Sequence, residues 1–219
     1  MQELIEKAYA YVEKTLTENF SRHQKQISKT KSFIQYDRFY HIRRVTQWAN
    51  RICDEICEDG SAMLDRDSLI LASVLHDVGY HAYHISMDHS EAGVVLAEKF
   101  LSEEGVEEEK KEKILNLIRL HSRKDLMFLE DTPLELVVLM EADLMDDMGA
   151  AGLVMDAWIN TRMNQEATSF DTIFEHMQKY TQAQQMEEPM RTEPAKRFWR
   201  EKQELVEEFM RQLARDLNK

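Results

Sequence analysis

The chain has 219 residues, 43% of them apolar and 32% charged, with 28 Lys+Arg against 41 Asp+Glu and a formal net charge of −13. That is enough apolar material for a sizeable core, which excludes global disorder, while six glycines and three prolines are too few for a many-stranded β sandwich or barrel. The acidic balance repels phosphate backbones and anionic bilayers, so neither a nucleic-acid polymer nor a membrane surface is the expected partner.

No apolar run reaches the roughly 20 residues of a membrane span. The N-terminal stretch Met1–Lys14 is amphipathic and charged, without a signal-peptide apolar region, so the expected location is cytoplasmic. The two cysteines, Cys53 and Cys57, are too few for a disulfide framework and read as buried reduced thiols.

The periodicity is helical nearly throughout. Leu4, Ile5, Ala8, Val12, Leu16 and Phe20 recur at three to four residues, and His41, Val45, Trp48 and Ile52 do the same in a second helix. A third helix is predicted from an N-cap at Asp67 or Ser68 through Leu69, Ala72, Leu75 and His76, stopped by Gly79. Tyr80–Asp88 has no clean period and reads as a loop. Helices follow over Ser90–Leu101, ended by Gly105, and over Glu107–His121, with Ile114, Leu117, Ile118 and His121 on one face. A loop over 122–133 closes at Pro133, and Leu134–Asp146 is helical again, with Leu136, Met140 and Asp143 aligned. Residues 153–185 read as helical but more polar. Pro189 and Pro194 bracket a connector before a final amphipathic helix, Lys196–Leu217, able to serve the core or a homodimer. No domain boundary stands out; the Gln-rich stretch Gln182–Glu188 is the best hinge candidate, and a single domain over 1–219 is expected.

Four places depart from this amphipathic pattern in the same way. His41, His76-Asp77, His121 and Asp143 each put a metal-type ligand on the buried face of an apolar helix. A lone buried carboxylate costs several kcal/mol unless paired or metal-bound. Two such Asp therefore call for partners, and imidazole plus carboxylate is a common ligand set for first-row metals. His23 and His176 fall off the apolar faces and read as surface residues, as do the loop residues His81 and His84 unless they lie near a substrate.

The order of these residues resembles the HD-domain superfamily of metal-dependent phosphohydrolases. His41-Ile42-Arg43-Arg44-Val45 is similar to its H-x-x-R-V helix start, and Leu75-His76-Asp77-Val78-Gly79 to its L-H-D-I-G motif. Asp88-His89-Ser90-Glu91-Ala92-Gly93 resembles D-H-x-x-x-G, and Arg119-Leu120-His121-Ser122 resembles the end of I-x-x-H-S. Ala142-Asp143-Leu144-Met145-Asp146 with Gly149–Gly152 is similar to A-D-x-L-D-x-x-G-A-x-G. The matched core runs from about residue 37 to 152 and is most similar to stand-alone bacterial HD hydrolases acting on nucleotides. Leu144 stands where relatives often carry Arg or Lys, Glu141 where Asp is common, residues 21–36 look longer than the usual lead-in, and the region beyond 152 matches only loosely.

The resemblance implies an all-α bundle around a central metal site. His41, His76, Asp77 and Asp143 would hold one divalent cation: Mn, Fe, Co, Ni, Zn or Mg. In relatives with two ions, Asp77 would bridge them while His89 and His121 hold the second; otherwise His89 and His121 would contact substrate phosphate. The ion activates a water and neutralises phosphate oxygens, which is what admits an anionic substrate to an acidic protein. Arg44, one turn after His41, is placed to clamp a phosphate. Asp77 or Asp146 can accept a proton from the water, or Asp146 can orient a ligand. The expected activity is hydrolysis of a phosphate ester or anhydride in a small molecule, a nucleotide above others. The alternatives are a two-metal phosphodiesterase and a nucleotide-binding HD module without turnover.

Overall fold

A computed structural model describes residues 1–24, 34–58, 64–80, 82, 88–163, 167–183 and 188–219. His81 and His84, most of the Gln-rich stretch and the side chain of His23 fall outside that description. The described residues are all-α, with no strand among them, as the composition requires. The helices in chain order are α1 (Gln2–Gln24), α2 (Ile34–Glu58), α3 (Arg66–Leu75), α4 (His89–Glu103), α5 (Glu108–Leu120), α6 (Leu134–Asp146), α7 (Ala150–Met163), α8 (Phe170–Met177) and α9 (Glu193–Asp216). They form two compact units, Met1–Ala142 and Asp143–Lys219.

In the first unit α3 is the centre. It packs against α1, α2 and α5, and every residue from Ser68 to Leu75 is buried. A helix covered on all sides must satisfy its own polar groups, and Ser73 Oγ does so by donating to the Leu69 carbonyl at 2.8 Å. The N-cap is Asp65 rather than Asp67 or Ser68, because Asp65 is held from outside the helix. Its carboxylate accepts from the Ser68 amide (3.1 Å) and hydroxyl (2.7 Å). Its own amide donates to Glu135 Oε1 at 2.9 Å, and Lys113 reaches both carboxylates, at 3.2 and 2.8 Å. The apolar stripes of α1 and α2, including Ala8, Val12, Leu16, Val45 and Ile52, are buried as their period predicts. Cys53 is buried, but Cys57, one turn further along α2, is exposed and so is not the second buried thiol the sequence suggested.

After α3 the chain makes a tight turn, in which the amides of Val78 and Tyr80 donate to the carbonyls of Leu75 and Asp77, both at 3.1 Å. The first turn of α4 lies directly on it. A Cβ at Gly79 would overlap the His89 carbonyl oxygen and the Gly93 amide nitrogen, and one at Gly93 would come within 3.3 Å of the His76 carbonyl oxygen. The two glycines let two backbones touch, and so bring His89 beside Asp77. Gly105 ends α4 with φ +69°, in the left-handed region that favours glycine.

In the second unit α7 and α8 pack together and both touch α9. Asp156 is buried in α7. Its Oδ2 accepts from the amide (3.1 Å) and hydroxyl (2.5 Å) of Thr181, in a wide helical turn over Gln178–Gln182. Burial pushes the Asp156 carboxyl up, opposed by these two bonds. His176 does not sit free on the surface: Nε2 lies 3.8 Å from Asp156 Oδ1 and its ring rests on Tyr180. The carboxylate it faces lies 20 residues earlier, beyond the reach of helical periodicity. Pro194 falls inside the first turn of α9, capped by Thr192, and not in a connector before it; a first turn needs no amide from proline. None of the described helices is long and apolar enough to cross a membrane.

Gly79→Ala should lower folding stability by about 2 kcal/mol or more, since the clash is with backbone and not with a side chain that can swing away. Thermal unfolding followed by circular dichroism measures this; an unchanged midpoint would contradict the close approach.

Candidate metal centre

The Asp77 carboxylate is the hub of the first unit's polar residues. Its side chain is 3% exposed. Oδ2 faces Nε2 of His41 and of His76, each at 3.5 Å. Oδ1 faces Nε2 of His121 at 3.5 Å and of His89 at 3.6 Å. Four imidazoles thus present the same ring nitrogen to one carboxylate, two to each oxygen. Adjacent rings lie close: His41–His76 centroids are 5.5 Å apart, His76–His121 5.0 Å and His89–His121 5.4 Å.

Helix ends decide which nitrogen points inward. His76 and His121 are the C-caps of α3 and α5. The last four carbonyls of a helix lack amide partners, and each histidine bonds one of them with Nδ1: His76 with Ser73 O at 2.8 Å, His121 with Ile118 O at 2.6 Å. A carbonyl only accepts, so Nδ1 carries the hydrogen. Nε2 is left to face Asp77, and an imidazole lone pair 3.5 Å from a carboxylate oxygen calls for positive charge between them, a proton or a metal ion. The nitrogen and oxygen ligand atoms of His76, Asp77 and His121 all lie within 4.8 Å of one another. This donor set suits a divalent first-row cation, and fixing a ligating imidazole through its other nitrogen is what such sites do.

Charge supports the same arrangement. Burial alone would raise the Asp77 carboxyl; the charge of His76, the contact with His121, and the charges of Arg38 and His41 outweigh it and hold the group well below the usual carboxylate range. Burial lowers the pKa of His89, with the Asp77 carboxylate opposing.

Of the residues singled out in the sequence, His41, His76, Asp77, His89 and His121 come together here. Arg44 is half-buried on α2, one turn beyond His41. Asp143 and Asp146 open the second unit on the last turns of α6, Asp143 half-buried and Asp146 buried. Arg38 was not among the candidates. It donates to Asp77 Oδ2 at 2.7 Å, and its guanidinium lies 3.8 Å over the Tyr80 ring, which in turn rests against His89 at 5.0 Å. Its position three residues before His41, on the same helix face, was the available signal. Ser122 is the other addition: its Oγ contacts Nε2 of His121 at 3.1 Å and of His89 at 3.2 Å.

Among curated proteins, none matches this sequence. Several solved structures share its fold. An HD-superfamily hydrolase from Bacillus thuringiensis aligns with a TM-score of 0.68 at 22% identity, covering 99% of this chain and 98% of its own. YpgQ from Bacillus subtilis in complex with ADP aligns with a TM-score of 0.64 at 19% identity, covering 98% and 95%. A predicted HD-superfamily hydrolase from an uncultured Thermotogales bacterium gives 0.59 at 18%, covering 99% and 92%. The family model of the HD domain matches residues 38–148, a span that contains the four imidazoles, Arg38 and the carboxylate they surround, and the chain belongs to the HD-domain family.

Proposed function

We propose that this protein is a metal-dependent phosphohydrolase that cleaves a phosphate ester or anhydride in a small molecule, a nucleotide being the favoured class. The observation that carries the reading is the ring of Nε2 atoms around a buried carboxylate, with helix ends fixing the tautomer of two of them. His41, His76 and Asp77 would hold a divalent ion, Mn, Fe, Co, Ni, Zn or Mg, with Asp143 as a further ligand on the strength of its A-D-L-M-D context. The ion would supply an acidified water and charge neutralisation at phosphate oxygens. Asp77 or Asp146 would accept the proton of that water, and Arg44 would hold the phosphate from the next turn of α2. Arg38 keeps the Asp77 carboxylate oriented. The nucleotide class rests on the ADP bound to the Bacillus subtilis protein and on the motif resemblance.

A second reading, a two-metal phosphodiesterase, draws on one observation: the oxygens of Asp77 divide their imidazoles evenly, His41 and His76 on Oδ2, His89 and His121 on Oδ1. That is the disposition a bridging carboxylate needs.

Release of phosphate from a panel of nucleoside mono-, di- and triphosphates and from phosphodiesters, with each divalent ion in turn, tests the proposal. Activity with at least one pairing, abolished by chelator and lost by at least about a thousandfold in Asp77→Ala, is expected. Full activity in Asp77→Ala would overturn it. Cation binding should also weaken as pH falls from 7 to 5. Burial lowers the pKa of His89 from its ordinary value, so that ring stays available near neutrality and protons compete for its Nε2 only in the acid range. Mn²⁺ titrations at three pH values measure this, and an affinity that rises on acidification would contradict it. With chelator present, Arg38→Gln should lower stability by about 1–3 kcal/mol, because it leaves a buried carboxylate with one charged partner fewer. A melting temperature equal to that of the wild type would remove Arg38 from the account.

A further inference from the structure

The Ser122 hydroxyl makes three contacts with one hydrogen to give. Its Oγ lies 3.1 Å from His121 Nε2, 3.2 Å from His89 Nε2 and 3.1 Å from Ser90 Oγ. Donor counting fixes the arrangement. His121 has its hydrogen on Nδ1, bonded to Ile118 O, so its Nε2 can only accept, and the Ser122 hydrogen goes to it. The lone pairs of Ser122 then receive a hydrogen from His89 Nε2 and one from Ser90. The second of these is supplied from a rigid place: Ser90 is buried in the first turn of α4, with its amide bonded to Asp88 Oδ1 at 2.7 Å. In this arrangement neither imidazole offers Asp77 Oδ1 a lone pair. For His89 Nε2 to ligate, its hydrogen must move to Nδ1, on the side where Asp88 Oδ1 lies 3.8 Å away, and Ser122 must release His121.

We propose that Ser122 sets the number of ions the centre holds: its hydroxyl binds the imidazoles of His89 and His121 in competition with a second divalent cation, so that the second ion is bound more weakly than the first. The inference rests on the metal-centre reading above and concerns only the Oδ1 side of Asp77. The Ser122 hydroxyl contacts His89, His121 and Ser90, and not His41 or His76 on the Oδ2 side. With the first ion held by His41, His76 and Asp77, the hydroxyl therefore discriminates between the two halves of the centre. The same contact gives His89 and His121 a defined orientation when a single ion is held, through a hydroxyl on an exposed residue.

The test is a Mn²⁺ titration of the full chain, with free Mn²⁺ read by electron paramagnetic resonance, on wild type, Ser122→Ala and Ser122→Thr. Ser122 is exposed, so the fold bears either change, and equal melting temperatures with chelator check this. Loss of one hydrogen bond between neutral groups predicts a second ion bound about three- to tenfold more tightly in Ser122→Ala, with the first affinity unchanged and Ser122→Thr behaving as wild type. A second-ion affinity in Ser122→Ala that is equal to or weaker than that of the wild type, while the first ion binds normally, overturns the role of Ser122 and leaves the metal centre standing. No Mn²⁺ binding in any of the three proteins overturns both.

Discussion

A buried carboxylate without compensation is among the most expensive things a fold can contain, and the first unit is organised around one. Asp77 sits in the turn after a helix that is buried from Ser68 onward, and its side chain is 3% exposed. Its compensation comes from four imidazoles and a guanidinium drawn from α2, the α3 end, the α4 start and the α5 end. Almost every feature of that unit answers to this demand. Gly79 and Gly93 let α4 approach close enough to deliver His89. The Asp65 cap, tied through Lys113 and Glu135, fixes where α3 starts. The carbonyls left over at two helix ends hold His76 and His121 by their outer nitrogens.

The helix ends thus do chemical work beyond terminating helices. A histidine in the middle of a helix must find a separate partner to fix its tautomer. One at a C-cap finds a carbonyl within its own last turn, and the negative end of the helix also favours positive charge nearby. Two of the four inward nitrogens are set this way by local sequence alone, which is why the L-H-D and L-H-S contexts carry so much information. His41 differs: it lies mid-helix, and Arg38 one turn before it joins the same carboxylate.

What could be read from the sequence follows from this division. Local rules recovered α6, bounded by Pro133 and by the break before Gly149, and the buried stripes that contain His41, His76 and His121. They also brought out the all-α class and the HD-type order of motifs. Contacts between distant segments stayed hidden. The cap of α3, read as Asp67 or Ser68, was misplaced by two or three residues because Glu135, 70 residues away, favours Asp65. His176 read as a surface residue because its partner Asp156 becomes its neighbour only once α7 packs on α8. Ser122 passed as part of a motif, since its role depends on α4 lying beside α5 and bringing Ser90 and His89 within reach. Arg38 was legible in principle, at helical spacing from His41, but precedes the apolar stripe that drew attention to that helix.

The central claim is that the positive charge demanded between Asp77 and its imidazoles is supplied by a divalent ion. Anomalous scattering from crystals grown with Mn²⁺ tests it most directly. The account predicts a peak at bonding distance from an Asp77 carboxylate oxygen and from Nε2 of His41 and His76. Crystals in which Mn²⁺ binds only elsewhere, with the four imidazoles still closed on Asp77, would contradict it.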